Sequence, residues 1–405
     1  MGSGAPLAQF SPTARRSPRL HDPGGRQGKL LWLALALGLV AILLVLRAVL
    51  AAELRDASPT WVNRGLERGA VLALAVHEGS VYAVTTEGAF RSGGGGWDTL
   101  FEPRAGNVVR SGAIRSGASL AIAVGDDDGV HLSDASGTNW SAALPPALRA
   151  LVFGVGFGRA GEVFAGQEGA VLRSRDGGRT WERSTAGVPP EPFRAFSIDP
   201  AAPDHALAGG DAGLYISRDG GMTWQQVLGW PRSVQVRSIV RHPTTPSLVY
   251  AGGVGQAIGG LFASRDGGGT WERLGEGSLR TDHINTVLIT SDGLYVGARG
   301  VADTDVIGGV WGSRDDGRTW EQVKTKLSNS DVGALALDPG PPRRLYAGTE
   351  GGVVFSYTLD AWWLRLLPLV PALALLEPLL VGVALVLLVL LFASLRRRPV
   401  STQAR

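Results

Sequence analysis

The acidic residues of this 405-residue chain that could do chemistry fall into two sets. Four aspartates, Asp176, Asp219, Asp266 and Asp315, hold the third position of near-identical octapeptides. These run Ser174 to Trp181, Ser217 to Trp224, Ser264 to Trp271 and Ser313 to Trp320, in the pattern S-x-D-x-G-x-T-W. A second set sits in loops that follow an apolar run: Glu87, Asp128, Glu168, Asp211 and Glu350, each beside or near a glycine. Asp126 and Asp127 add charge in one of these loops, and Asp303 and Asp305 lie in the longest insertion, 298–309. Carboxylates in such number could hold a cation, or work in pairs on a glycosidic bond.

Turn chemistry explains the first set better. An Asp side chain accepts N–H groups of its own turn. The glycine two residues on permits a positive φ, and the Trp offers a large apolar face for packing. One carboxylate per octapeptide is too few for calcium. Asp176, Trp181, Asp219, Trp224, Asp266, Trp271, Asp315 and Trp320 are therefore read as structural. The second set allows two readings: Asp/Glu-Gly as simple turn chemistry, or a partial acidic ring that receives a cationic ligand or a basic partner surface. Histidines 21, 77, 131, 205, 242 and 283 show no metal-ligand spacing. The chain has no Cys, which removes disulfides, thiolate sites and cysteine nucleophiles. Glycine-rich stretches lack a following Lys-Ser/Thr, so no phosphate loop is present. No metal and no cofactor are expected. A net charge of +3 with no dense basic run in the centre gives no case for nucleic acid.

The elements that position these residues follow from the repeat. Tryptophans at 61, 97, 140, 181, 224, 271, 320 and 363 are 36 to 49 residues apart and mark seven units. Degenerate octapeptides continue the series. Ser133 to Trp140 has Ala135 where the Asp belongs, and Ser92 to Trp97 is shortened and Gly-rich. Each unit reads as four short strands: a polar one after the Trp, an apolar run, a Val-Tyr-Ala-like run, and one leading into the next octapeptide. Tyr82, Tyr250, Tyr295 and Tyr346 share one place in the repeat, which marks them as core. Four strands per unit and seven units give an all-β, seven-bladed propeller. Thr60 to Gly65 is a lone fourth strand and 332–357 supplies three, so the N-terminal strand should complete the last blade and close the ring, removing a free edge.

The octapeptides resemble the Asp-box, or BNR, repeats of sialidases, sortilin-like receptors, xyloglucan-type glucanases and photosystem II assembly factors. The resemblance spans residues 60 to 360 and implies the propeller fold, with the boxes as structural turns; these families perform unrelated functions. A sialidase-like activity would imply a Phe/Tyr-Arg-Ile-Pro motif ahead of the first full repeat. The nearest fragment, Pro192-Phe193-Arg194, lies mid-chain.

Both ends are apolar. Residues 30–50 are broken only by Arg47 and suffice for a transmembrane helix. The basic tail 1–29 places that end in the cytoplasm. A signal peptide cleaved near Val49-Leu50-Ala51 is the alternative; the length of the run and Arg47 favour an anchor. Residues 376–395 form a second span, followed by Arg396, Arg397 and Arg398 in the cytoplasmic tail 396–405, and 362–375 reads as an interfacial segment led by Trp362 and Trp363. The propeller, 58–361, is thus expected outside the cytoplasm of a cell membrane, with both termini inside. The ring closure sets both helices on the box side, where Arg173, Arg175, Arg179, Arg218, Arg265, Arg314 and Arg318 could face anionic headgroups at about 1 kcal/mol per residue. The expected function is non-catalytic: binding or assembly of a membrane or envelope protein or a glycan. The alternatives are a divergent glycoside hydrolase, or a sensor coupled laterally to a membrane partner.

Overall fold

In the computed structural model the described residues are 61–158, 161–255, 258–300, 307–323, 327 and 331–359, with Leu35, Gly38, Val386 and Val389 each helical. Residues Pro59–Ala361 make one compact unit. The tails 1–29 and 396–405, the spans 30–50 and 376–395, and the segment 362–375 otherwise lie outside the described residues. Among the described residues no helix is long and apolar enough to cross a membrane.

The compact unit is a ring of seven four-stranded antiparallel sheets. Blades 1 to 6 span 71–101, 111–142, 154–184, 193–226, 235–273 and 284–322. Blade 7 joins three strands between Val332 and Thr358 to an outer strand, Val62–Leu66, from the other end of the chain. Val62 pairs with Ser356 and Asn63 with Phe355, so the ring closes by the expected exchange. Because the closing strands run antiparallel, the chain enters at Val62 and leaves at Thr358 on one face.

Each blade runs from an inner strand at the axis to a short polar strand outside. Successive inner strands touch in cyclic order, from Val71–His77 round to Val332–Asp338 and back. The second strands carry the Val-Tyr-Ala runs, and the tyrosines at 82, 250, 295 and 346 are buried as expected of core. The glycine after that run is dictated by the neighbouring blade. A Cβ on Gly209 would meet Val236 at 2.4 Å, one on Gly252 would meet Ile284 at 2.6 Å, and one on Gly348 would meet Val71 at 2.4 Å. In blade 1 the bulk is exchanged: Val84 replaces the glycine and the facing inner strand carries Gly112, whose Cβ would meet Val84 at 2.5 Å. The apolar cores lie between blades, as where Leu207 and Leu214 of blade 4 pack with Val236, Ile239 and Val249 of blade 5. Alternation along a strand puts apolar side chains on both sheet faces, since each face meets a neighbour.

Candidate binding face

The four-strand order sorts the loops. Turns from third to fourth strand, which hold the boxes, share one face with the first-to-second turns. Turns from second to third strand and the blade-to-blade connections share the other, here the mouth face.

On the box face each octapeptide closes on itself. Ser174 Oγ donates to Asp176 Oδ1 at 2.9 Å and accepts Gly178 N–H at 2.8 Å. Thr180 N–H donates to the same oxygen at 2.8 Å, and the Thr180 hydroxyl to the other at 2.7 Å. Trp181 Nε1–H caps the turn on Gly178 O at 3.0 Å. The Ser, Asp and Thr bonds recur at Asp219, Asp266 and Asp315. These donors set the acidity. The Thr180 hydroxyl and N–H hold Asp176 down to about 2, and Thr319 does the same for Asp315. At Asp219 and Asp266 desolvation pushes upward, but hydrogen bonds from Thr223 and Thr270 outweigh it and leave both at about 2. In the fourth box Asp316 takes the positive φ, 57°, that Gly177 takes in the first. The box of blade 2, which lacks its aspartate at Ala135, is rebuilt one residue earlier. Asp134 Oδ1 accepts Ser136 N–H at 3.1 Å and Thr138 N–H at 3.2 Å, and Asn139 Nδ2 donates to Oδ2 at 2.5 Å. Sequence reasoning passed over Asp134 because it is out of register with the motif.

Not all the box-side arginines are surface residues. Arg173 is only 5% exposed and donates to Gly220 O of the next blade's box. Arg265 pairs with Glu272 at 3.2 Å. Arg175, Arg179, Arg218, Arg314 and Arg318 are exposed.

The mouth face holds the second acidic set. Glu87, Asp128, Glu168, Asp211 and Glu350 all lie on second-to-third-strand turns, of blades 1, 2, 3, 4 and 7. Asp303 and Asp305 lie outside the described residues. What sequence reasoning missed is a set of arginines at the start of the inner strands. In five inner strands a position near the start bulges out of register, the second at Leu72, Arg194, Asn285 and Gly333 and the third at Arg237. Arg110 and Phe153 stand just before the inner strands of blades 2 and 3. A bulge re-aims a side chain out of the ladder. Here it brings Arg194 and Arg237 to the rim. The Arg110 and Arg194 guanidiniums lie 5.9 and 5.7 Å from the Phe153 ring centre, one blade away on either side.

These arginines take up part of the acidic set. Arg194 grips Asp211 with Nε at 2.8 Å and Nη2 at 3.1 Å. Arg110 Nε meets Asp127 Oδ1 at 2.6 Å, Arg104 meets Asp128 at 3.6 Å, and Arg299 meets Asp331 at 3.6 Å. Arg237 differs. Among the described residues its guanidinium bonds only Gln235 Oε1, at 2.9 Å, and no carboxylate is within ion-pair range of it. Arg237 stays open to water, yet the walls around it desolvate it, and with Arg194 and Arg299 this lowers its pKa against the pull of Asp211 and Glu350. Beside this cluster Glu191 is buried; burial first, and then Asp211, push its carboxyl upward although Ala212 N–H donates to it. Tyr215, against Glu191, is pushed up to about 12 by burial and that carboxylate.

Apolar side chains surround the mouth. Val108, Leu151 and Leu228, on blade-to-blade connections, and Ile258 and Ile307, on second-to-third-strand turns, are all exposed, Leu228 by 87%. Among the described large apolar residues of the propeller, the box face exposes only Val62 and Met222. Among the described residues no three His, Cys, Asp or Glu are grouped to hold a metal ion.

The chain is a seven-bladed β-propeller with Asp-box turns. The BNR/Asp-box repeat model matches residues 215–226, the box of blade 4. No curated protein sequence matches the chain. Solved structures do. The extracellular domain of a one-component system from B. thetaiotaomicron is similar at 13% identity and TM-score 0.57, covering 74% of this chain and 40% of that one. An ancestral GH74 enzyme is similar at 17% identity and TM-score 0.56, covering 76% and 47%. YCF48 bound to D1 peptide is similar at 17% identity and TM-score 0.55, covering 75% and 98%. The chain thus spans less than half the length of the first two, and at these identities the likeness is one of fold.

Proposed function

We propose that this chain is a membrane-anchored, extracytoplasmic propeller that binds an envelope or membrane protein on its mouth face, without catalysis. The observation that carries this reading is Arg237, a guanidinium with no carboxylate in ion-pair range among the described residues, near Arg194 and Arg299 on the face that exposes Leu228, Ile258 and Ile307. A charged anchor on a face with exposed apolar side chains is the composition of a protein interface, where a few desolvated arginines and large apolar groups carry most of the affinity. The partner segment would bring a carboxylate to Arg237 and apolar side chains to the rim. Two fold neighbours, an extracellular sensor domain and YCF48 in complex with D1 peptide, support binding as a use of this architecture. Among the described residues of this face, the tyrosine–carboxylate contact of Tyr215 with Glu191 is buried, which favours binding over glycoside hydrolysis. The apolar runs 30–50 and 376–395 would hold the ring at the membrane. The test is capture from gently solubilised membranes with the full chain and its Arg237→Gln variant. A stoichiometric partner held by the parent chain and lost by the variant is expected; equal capture by both would overturn the reading.

A further inference from the structure

Blade 1 has a two-residue turn, Gly94-Gly95, where blades 3 to 6 carry a full box. A full box covers the seam to the preceding blade. A Cβ on Gly178 would lie 2.2 Å from Leu132 Cδ1, one on Gly221 2.7 Å from Phe164 Cε1, and one on Gly268 2.6 Å from Leu207 Cδ2. At blade 1 the turn is two residues short, and positions 94, 95 and 96 have no neighbour within 4 Å of a Cβ. The seam with blade 7 is left open as a cavity of about 560 Å³.

Its walls combine two kinds of group. Arg64 and Arg344 come from blade 7, Trp97 and the Gly93–Gly96 turn from blade 1, and Tyr346 lies beneath. Arg64 Nε donates to Ser356 Oγ at 2.8 Å, and among the described residues neither arginine is within ion-pair range of a carboxylate. Trp97 Nε1–H donates to Arg64 O at 2.9 Å, which fixes the indole in the wall. Two guanidiniums with no carboxylate in ion-pair range among the described residues match the planar oxygens of a carboxylate. An aromatic wall and a glycine turn without side chains match the flat face of a ring that must come close to backbone. A uronic acid offers both in one unit. An anionic lipid headgroup would engage the arginines and leave the aromatic wall unused.

We propose that this seam groove binds a carboxylate-bearing saccharide, at a site separate from the mouth and on the other end of the blades. The purified full-length chain would be titrated with digalacturonic acid by calorimetry, with cellobiose and phosphatidylglycerol vesicles as comparison arms. Saturable binding of the acidic sugar, weakened at least tenfold in both Arg344→Gln and Arg64→Gln with unchanged melting temperature, is expected, while Arg237→Gln leaves it intact. The proposal is overturned by no saturable sugar binding, by equal binding of cellobiose, or by vesicle binding that the two variants abolish while the sugar stays unbound. Because Arg237→Gln reads the mouth and Arg344→Gln reads the seam, failure of one proposal is distinguishable from failure of the other.

Discussion

On the box face the Ser, Asp and Thr side chains of each full box are consumed by their own turn: Ser174 and Thr180 both donate to Asp176, and the same bonds return at Asp219, Asp266 and Asp315. On the mouth face the same kinds of group are arranged blade by blade without repetition. Arg110, Arg194 and Arg237 share one height in blades 2, 4 and 5, but the equivalent places hold Leu72, Phe153, Asn285 and Gly333 in the others. Two of these arginines have carboxylate partners, and Arg237 has none among the described residues. Repetition marks what every blade needs in order to fold. Its loss on one face marks where the molecule is free to carry something particular to it.

That contrast can be broken by substitutions, beginning with the largest effect. Trp320→Ala removes a buried side chain that also caps its turn on Gly317 O at 2.9 Å. A loss of about 3–5 kcal/mol in denaturant unfolding is expected. Gly209→Ala drives a methyl to within 2.4 Å of Val236 and should cost about 1–3 kcal/mol. An unchanged midpoint for either would show that the repeated positions are not what holds the ring. The acid limb sharpens the point. Asp176, Asp219, Asp266 and Asp315 sit at about 2 in the folded ring against an ordinary 3.8, so the stability they add is complete above 3.8 and is lost as pH falls through about 2. Melting temperatures measured from pH 5 to pH 2 should fall, and Asp→Asn at all four sites should flatten that fall. The smallest structural effect belongs to the mouth: Arg237→Gln should change unfolding free energy by less than about 0.5 kcal/mol.

Much of this was legible in the chain itself, and the reason is locality. A box is eight consecutive residues whose bonds are internal, so its pattern survives in sequence at each copy. The closing strand at Val62–Leu66 was legible because a lone fourth strand and a blade with three have one economical pairing. Asp134 was missed because its hydrogen bonds do the work of the third motif position from the second. The mouth arginines were missed for a related reason. Arg110, Arg194 and Arg237 are brought together by closure of the ring, and neither their spacing nor their flanking residues repeat. Lining up the starts of the inner strands would have put them in one column. The acids were easier to see, being tied to turn glycines, and without their arginine partners they suggested a more acidic ring than the pairing of Asp127 and Asp211 allows.

The most direct test of the central claim sets the two faces against each other in one experiment. Full-length Arg237→Gln and Asp219→Asn would be compared for melting temperature and for partner capture from membranes. The account predicts that Arg237→Gln melts with the parent chain and loses the partner, while Asp219→Asn melts lower and, below its melting point, still holds it. Partner retention by Arg237→Gln, or its loss only in step with a lowered melting temperature, would contradict the division of labour between the faces.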